Sequence, residues 1–123
     1  MIGYVTVGVS DMDRACAFYD ALLPEFDGAR AFGQDRIKFY RAGDQGPMLA
    51  ICVPYDENTP TAGNGTMVAL QAKDRAQVDR ADAKALELGA TDEGKPGERM
   101  PIFYGAYVRD PDGNKLCFYD MKM

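Results

Sequence analysis

"YVTVGVSD", residues 4–11, and "MVALQAKD", residues 67–74, follow one plan, and that plan decides the fold of this chain. Each stretch has four or five residues of strand type, then a short polar step, then an aspartate that opens a helical pattern. β-Branched residues favour strands, and an aspartate before a helix accepts hydrogen bonds from the free N–H groups of its first turn. The sequence therefore predicts one strand–helix unit used twice.

The first unit begins with a strand over residues 2–9 and continues into a helix capped by Asp11. Apolar residues recur along that helix at a spacing that gives one buried stripe, and Pro24 ends it. The stripe consists of Ala15, Phe18, Tyr19 and Leu22. Three shorter strands are predicted at 26–32, 36–41 and 48–53.

The second unit repeats this order with a strand over 65–72, a cap at Asp74 and a helix that stops at Gly89. Its helix stripe consists of Val78, Ala81, Ala85 and Leu88. Three strands follow at 91–94, 102–109 and 114–121, and the sequence DPDGN predicts a type I turn between the last two. Neither half can bury its sheet face alone, so the repeat implies that the halves pair. We predict one α+β domain of two βαβββ modules: 1–55, a linker 56–64, and 65–123.

Composition excludes several functions. The net charge of −5, without a cluster of Lys and Arg, argues against nucleic acid and anionic membranes as partners. No apolar run is long enough to span a membrane, and the start lacks the basic flank of a signal peptide, so we expect a cytoplasmic location. The three cysteines are widely spaced and suggest neither a disulfide framework nor a zinc motif. The chain has no histidine, the commonest metal ligand and acid–base group.

Strand alternation predicts which side chains share a sheet face. Tyr4 and Thr6 lie opposite the valines of the first strand, and Met67 lies opposite Val68. Because aliphatic faces suit packing against a helix, Tyr4 and Met67 are predicted to point into a cavity. Pairing across the DPDGN turn adds further residues to the second of these faces. They are Cys117, Tyr107, Tyr119 and Phe103, with Arg109 opposite Lys115.

Two interpretations of these faces remain open. The aromatic and sulfur-containing side chains either line a small-molecule pocket or pack as a core between the halves. Arg109 and Lys115 either attract an anionic ligand at the rim or are solvated and balanced by Asp110 and Asp112.

Three segments, in this order, resemble the glyoxalase / bleomycin-resistance / extradiol-dioxygenase superfamily, also called the vicinal oxygen chelate proteins. They are YVTVGVSDMDRACAFYDALL, GNGTMVAL and RDPDGNKLCFYD. The resemblance spans nearly the whole chain and implies paired modules whose sheets curl around a cavity. It does not imply an activity, because this fold carries isomerases, dioxygenases, epoxide-opening transferases and drug-binding proteins.

The resemblance also implies where a metal would be bound. Metal-using relatives carry one ligand, usually His, near the start of each module's first strand and another, usually Glu, on each module's last strand. The matching positions here are Tyr4, Met67, Cys52 and Cys117. Soft sulfur donors suit Cu(I) or Zn better than Mg, Mn, Fe or Ni, and Met and Tyr are poor substitutes for the usual zinc ligands. We therefore expect no metal and no cofactor.

Three functions compete. We favour metal-free binding of a small, partly aromatic molecule, with Tyr4, Thr6, Cys52, Met67, Tyr107, Cys117, Tyr119 and Arg109 as the ligand-binding residues. A metal-dependent lyase or isomerase of the glyoxalase I type, or a dioxygenase-like enzyme, would need a ligand from outside the expected set. A dimeric interaction scaffold would have a filled cavity. Small members of the family usually form dimers, so the resemblance implies a homodimer, with each cavity shared between a first and a second module.

Overall fold

The protein is described from a computed structural model, which describes residues 1–122. Two βαβββ modules follow one another along the chain. Their elements are β1 (Tyr4–Gly8), α1 (Met12–Leu22), a 3-10 helix (Leu23–Phe26), β2 (Gly28–Gln34), β3 (Ile37–Ala42), β4 (Met48–Cys52), β5 (Val68–Gln71), α2 (Arg75–Glu87), β6 (Thr91–Met100), β7 (Phe103–Arg109) and β8 (Lys115–Met121). No helix within residues 1–122 is both long and apolar enough to cross a membrane.

The strands form two four-stranded mixed sheets with the same topology. The first sheet has the order β1-β4-β3-β2 and the second the order β5-β8-β7-β6. In each, the first strand pairs in parallel with the last, and the other pairs are antiparallel. The predicted α+β fold with two modules is therefore confirmed. In the described part of the chain the two sheets stay separate, and β1 and β5 are their equivalent edge strands.

Both predicted helices begin at the predicted aspartates. The Asp11 carboxylate accepts a hydrogen bond from the backbone N–H of Arg14 at 3.1 Å, and Asp74 accepts one from that of Gln77 at 2.8 Å. Pro24 ends α1, but the chain continues as a single 3-10 turn with the proline near its start. Gly89 follows α2 with φ of 104°, a backbone conformation that favours glycine and ends the helix.

The helix-bearing faces of the two sheets share one hydrophobic core. The Phe26 and Phe118 rings meet across the modules at 5.5 Å, and the Tyr19 hydroxyl donates to Asp110 at 2.5 Å. The Asn114 amide donates to the backbone carbonyl of Gly8 at 2.8 Å. The halves therefore pair through their helices, and the opposite face of each sheet lies outside this core.

The longest strand departs from the sequence prediction. β6 spans ten residues, whereas the sequence predicted a strand only over 91–94. It contains Pro96 and two glycines, and its pairing with β7 shifts register three times. An edge strand tolerates proline because one side of it needs no ladder partner. Glu93 and Glu98 both lie in this strand.

Candidate functional site

The first-sheet face, opposite α1, carries the residues predicted from the first module. In the β1–β4 register Tyr4 pairs with Met48, and Gly8 pairs with Cys52. Because every second residue of a strand points the same way, Tyr4, Thr6 and Cys52 belong to one face. Tyr4 is 54% exposed, whereas Val7 on the opposite face is buried. This arrangement matches the predicted alternation.

Two phenylalanines that the sequence analysis missed complete the first-sheet face. The Tyr4 ring packs edge-on against Phe39 with centroids 5.1 Å apart, and Phe32 stacks on Phe39 at 4.6 Å. Phe32 is 54% exposed. Alternation along β3 was the available signal, because Ile37 and Phe39 alternate there with Lys38 and the buried Tyr40. Rings from β1, β2 and β3 therefore form one aromatic cluster on this face.

The second-sheet face, opposite α2, has the hairpin pairing that the DPDGN turn predicted. Tyr107 pairs with Cys117, and Gly105 pairs with Tyr119. The Phe103 and Tyr119 rings stack with centroids 5.5 Å apart and planes within 3° of parallel. Gly105 makes this stack possible, since a Cβ there would lie 2.8 Å from the Phe103 ring. Met67, just before β5, is 43% exposed.

The charges on the second-sheet face are arranged differently from the prediction. Arg109 is on this face and opposite Lys115, as expected, but its guanidinium pairs with Glu93 at 2.8 Å. Asp110 and Asp112 do not balance these cations. Asp110 accepts the Tyr19 hydroxyl, and Asp112 accepts from Ser10 and Arg14. These aspartates therefore join the modules, and Lys115 remains directed at the Tyr107 ring, 5.4 Å from its centroid.

The ionisable groups at the centre of this face are neutral at physiological pH. Cys117 is only 1% exposed, and burial raises the pKa of its thiol. Burial also raises the pKa of the Tyr107 phenol, with a smaller contribution from the neighbouring thiol. A neutral thiol is a poor nucleophile and a poor metal ligand. These two neutral side chains can lie against an apolar ring.

The four positions that match the family's metal ligands do not form a suitable donor set. Tyr4 and Cys52 are on the first-sheet face, and Met67 and Cys117 are on the second-sheet face. The Tyr4 ring packs against Phe39, and the Cys117 thiol is protonated. Hard divalent metals favour carboxylate and imidazole ligands over a phenol, a thioether and thiols. Within residues 1–122 no group of three or more His, Cys, Asp and Glu side chains is arranged to hold a metal ion.

A groove of about 520 Å³ lies between the modules, beside the free edge of β5. It includes only one residue of the predicted site, Tyr119. The groove is lined by Leu23, Phe26, Gly28, Tyr40, Arg41, Ala42, Gln45, Pro47, Leu49, Ala69, Leu70, Gln71 and Tyr119. The structure thus groups the predicted residues on two sheet faces and does not enclose them within a single chain.

The fold and these two faces define a class of protein, the paired βαβββ module. The family model described as "Glyoxalase/Bleomycin resistance protein/Dioxygenase superfamily" matches residues 1–118. The chain belongs to this superfamily, as the sequence resemblance indicated.

Solved structures are similar to the whole chain. A glyoxalase/bleomycin resistance protein from Albidiferax ferrireducens T118 is 35% identical, with a TM-score of 0.89 and 97% of each chain covered. A putative glyoxalase from Bacillus halodurans is 24% identical, with a TM-score of 0.79, covering 97% of this chain and 94% of that one. At that identity the likeness supports the fold alone. Among curated proteins, none matches the chain.

Proposed function

We propose that this protein binds a small, partly aromatic molecule without a metal, between the sheet faces of two chains in a homodimer. One observation carries the proposal: both sheet faces present ordered aromatic side chains outside the core. Stacked rings with exposed faces suit a flat apolar ligand. The donor set described above gives no support to a metal-dependent lyase, isomerase or dioxygenase.

The dimer part of the proposal is supported by the way the modules pack. Their helix-bearing faces already share a core, so the first-sheet and second-sheet faces of one chain lie outside that core. A cavity that uses both faces therefore needs a second chain. The accessible surface of 7143 Å² also exceeds the value of about 6,500 Å² typical of a monomer of this mass. Exposed edges such as those of β1 and β5 favour contact with another chain.

Light scattering at micromolar concentration tests the assembly. We expect a mass twice the 13.5 kDa of the single chain. A mass of one chain would refute the dimer.

Calorimetric titration with 2-naphthoate, on protein dialysed against a chelator, tests the binding function. We expect saturable binding to the wild type and at least tenfold weaker binding to Tyr4→Ala. Tyr55→Ala is the matched control, because Tyr55 is 88% exposed and belongs to the segment between the modules. An equal loss of 2-naphthoate affinity in Tyr4→Ala and Tyr55→Ala would contradict the proposal. So would binding that is seen only after metal is added. An interaction scaffold would bind none of the probe.

A further inference from the structure

Two cations converge on one aromatic ring of the second-sheet face. The Arg99 guanidinium carbon lies 5.4 Å from the Tyr107 ring centroid, and the Lys115 ammonium nitrogen lies at the same distance. They come from β6 and β8, the strands on either side of the strand that carries Tyr107. Aromatic ring faces attract cations, so the ring holds both side chains near it.

The backbone of β6 leaves room for the Arg99 side chain. A Cβ at Gly97 would lie 2.8 Å from a terminal nitrogen of Arg99, and a Cβ at Gly94 would lie 3.4 Å from one. Arg99 also donates to the carbonyl of Lys95 at 2.7 Å. One hydrogen bond uses only one of the five N–H donors of a guanidinium. Arg99 is therefore positioned by the strand, and it retains donors for a ligand.

Neither cation has a carboxylate partner in residues 1–122, although the protein is acidic. No Asp or Glu oxygen of the described chain lies within 4.0 Å of the Arg99 or Lys115 nitrogens. Their neighbour Arg109 is paired with Glu93 and so is already neutralised. Both charges thus lie near one ring without a carboxylate partner, and a bound anion would interact favourably with them.

The surroundings limit the rest of the ligand. Beside the two cations are the neutral Cys117 thiol and the stacked Phe103 and Tyr119 rings. We propose that the second-sheet face binds an aromatic oxyanion, a flat apolar body with one carboxylate or phosphate, and that Arg99 and Lys115 supply the positive charge for its head group. This inference rests on the proposed binding function, because it names the ligand class for the same face.

The test compares probes that differ only in the head group. Wild-type protein is titrated calorimetrically with 2-naphthoate, 2-naphthyl phosphate and the neutral 2-naphthamide. We expect at least one anion to bind about tenfold or more tightly than the amide, because charge-assisted contacts are stronger than neutral ones. That advantage should shrink as sodium chloride is raised, because these side chains are partly exposed. The tighter anion identifies the head group.

Variants locate the anion. Arg99→Gln and Lys115→Gln should each reduce the anion's advantage several-fold while the affinity for the amide stays within twofold of the wild type. Lys38→Gln is the matched control, because it removes the same charge from a strand of the first module. The inference about the head group is wrong if 2-naphthamide binds as tightly as both anions. It is also wrong if Lys38→Gln reduces the anion's advantage as much as Arg99→Gln and Lys115→Gln do. In either case the proposed binding function stands. If no probe binds, both proposals fail.

Discussion

Asp82 is a buried carboxylate whose charge we expect to destabilise the folded protein at neutral pH. It lies on α2 at 5% exposure, and its Oδ1 has no hydrogen-bond partner. Burial raises its pKa from 3.8 to about 6, helped by the negative charges of Asp92 and Asp79. We therefore expect Asp82→Asn to stabilise the protein at pH 8.

The magnitude follows from the pKa difference between the folded and unfolded states. Each pKa unit corresponds to about 1.4 kcal/mol, so the difference between 3.8 and about 6 gives at most about 3 kcal/mol. Because the folded protein relaxes around the charge, we expect Asp82→Asn to raise the free energy of unfolding by about 1–3 kcal/mol. The folded-state pKa is the higher one, so the cost is fully present above pH 6. It falls between pH 6 and 4, as Asp82 becomes protonated in the folded protein. The advantage of Asp82→Asn should therefore disappear near pH 4.

Urea denaturation at pH 8 and pH 4, at one protein concentration, measures both values. Asp44→Asn is the matched control, since it removes the same charge from an exposed turn. We expect that control to change the free energy of unfolding by less than about 0.5 kcal/mol at either pH. The reasoning is wrong if Asp82→Asn gives no stabilisation at pH 8, or gives the same stabilisation at both pH values.

Two other predictions concern metals and the contact between the modules. Protein incubated with Ni, Zn, Mn or Fe and then desalted should carry no stoichiometric metal by elemental analysis, and metal bound through two of Tyr4, Cys52, Met67 and Cys117 would contradict this. Tyr19→Phe should lower the free energy of unfolding by about 1–2 kcal/mol in urea, because it removes a buried hydrogen bond to Asp110. An effect no larger than that of Tyr55→Phe on the surface would count against that role.

The modules could be predicted from the sequence because their signals are local. Asp11 and Asp74 each cap a helix by accepting a hydrogen bond from a backbone N–H three residues further on. The Gly113 N–H closes the turn by donating to the Asp110 carbonyl at 2.9 Å. Strand alternation then placed Tyr107 and Cys117 on one face, since hairpin register follows from the turn. Each of these inferences needs only a few consecutive residues.

The parts that could not be predicted depend on distant residues. β6 was underestimated because its glycines and Pro96 are typical of loops, and only pairing with β7 keeps them in a strand. The prediction that Asp110 or Asp112 balances Arg109 was also wrong. Asp110 is adjacent in sequence, but the fold directs it to Tyr19, and Glu93 takes its place. Such competition for a charge is decided by contacts between residues that are distant in the sequence.

Complementation between two weakened variants tests the shared cavity most directly. Tyr4→Ala and Met67→Ala each remove one side of the proposed cavity, so each homodimer should bind 2-naphthoate weakly. The two variants are unfolded together, refolded as an equal mixture and titrated. Random pairing makes half of the dimers mixed. If each cavity uses Tyr4 of one chain and Met67 of the other, one of the two cavities in every mixed dimer has both side chains. The account predicts about a quarter of the wild-type sites at wild-type affinity. A mixture that binds no better than the separate variants would contradict it.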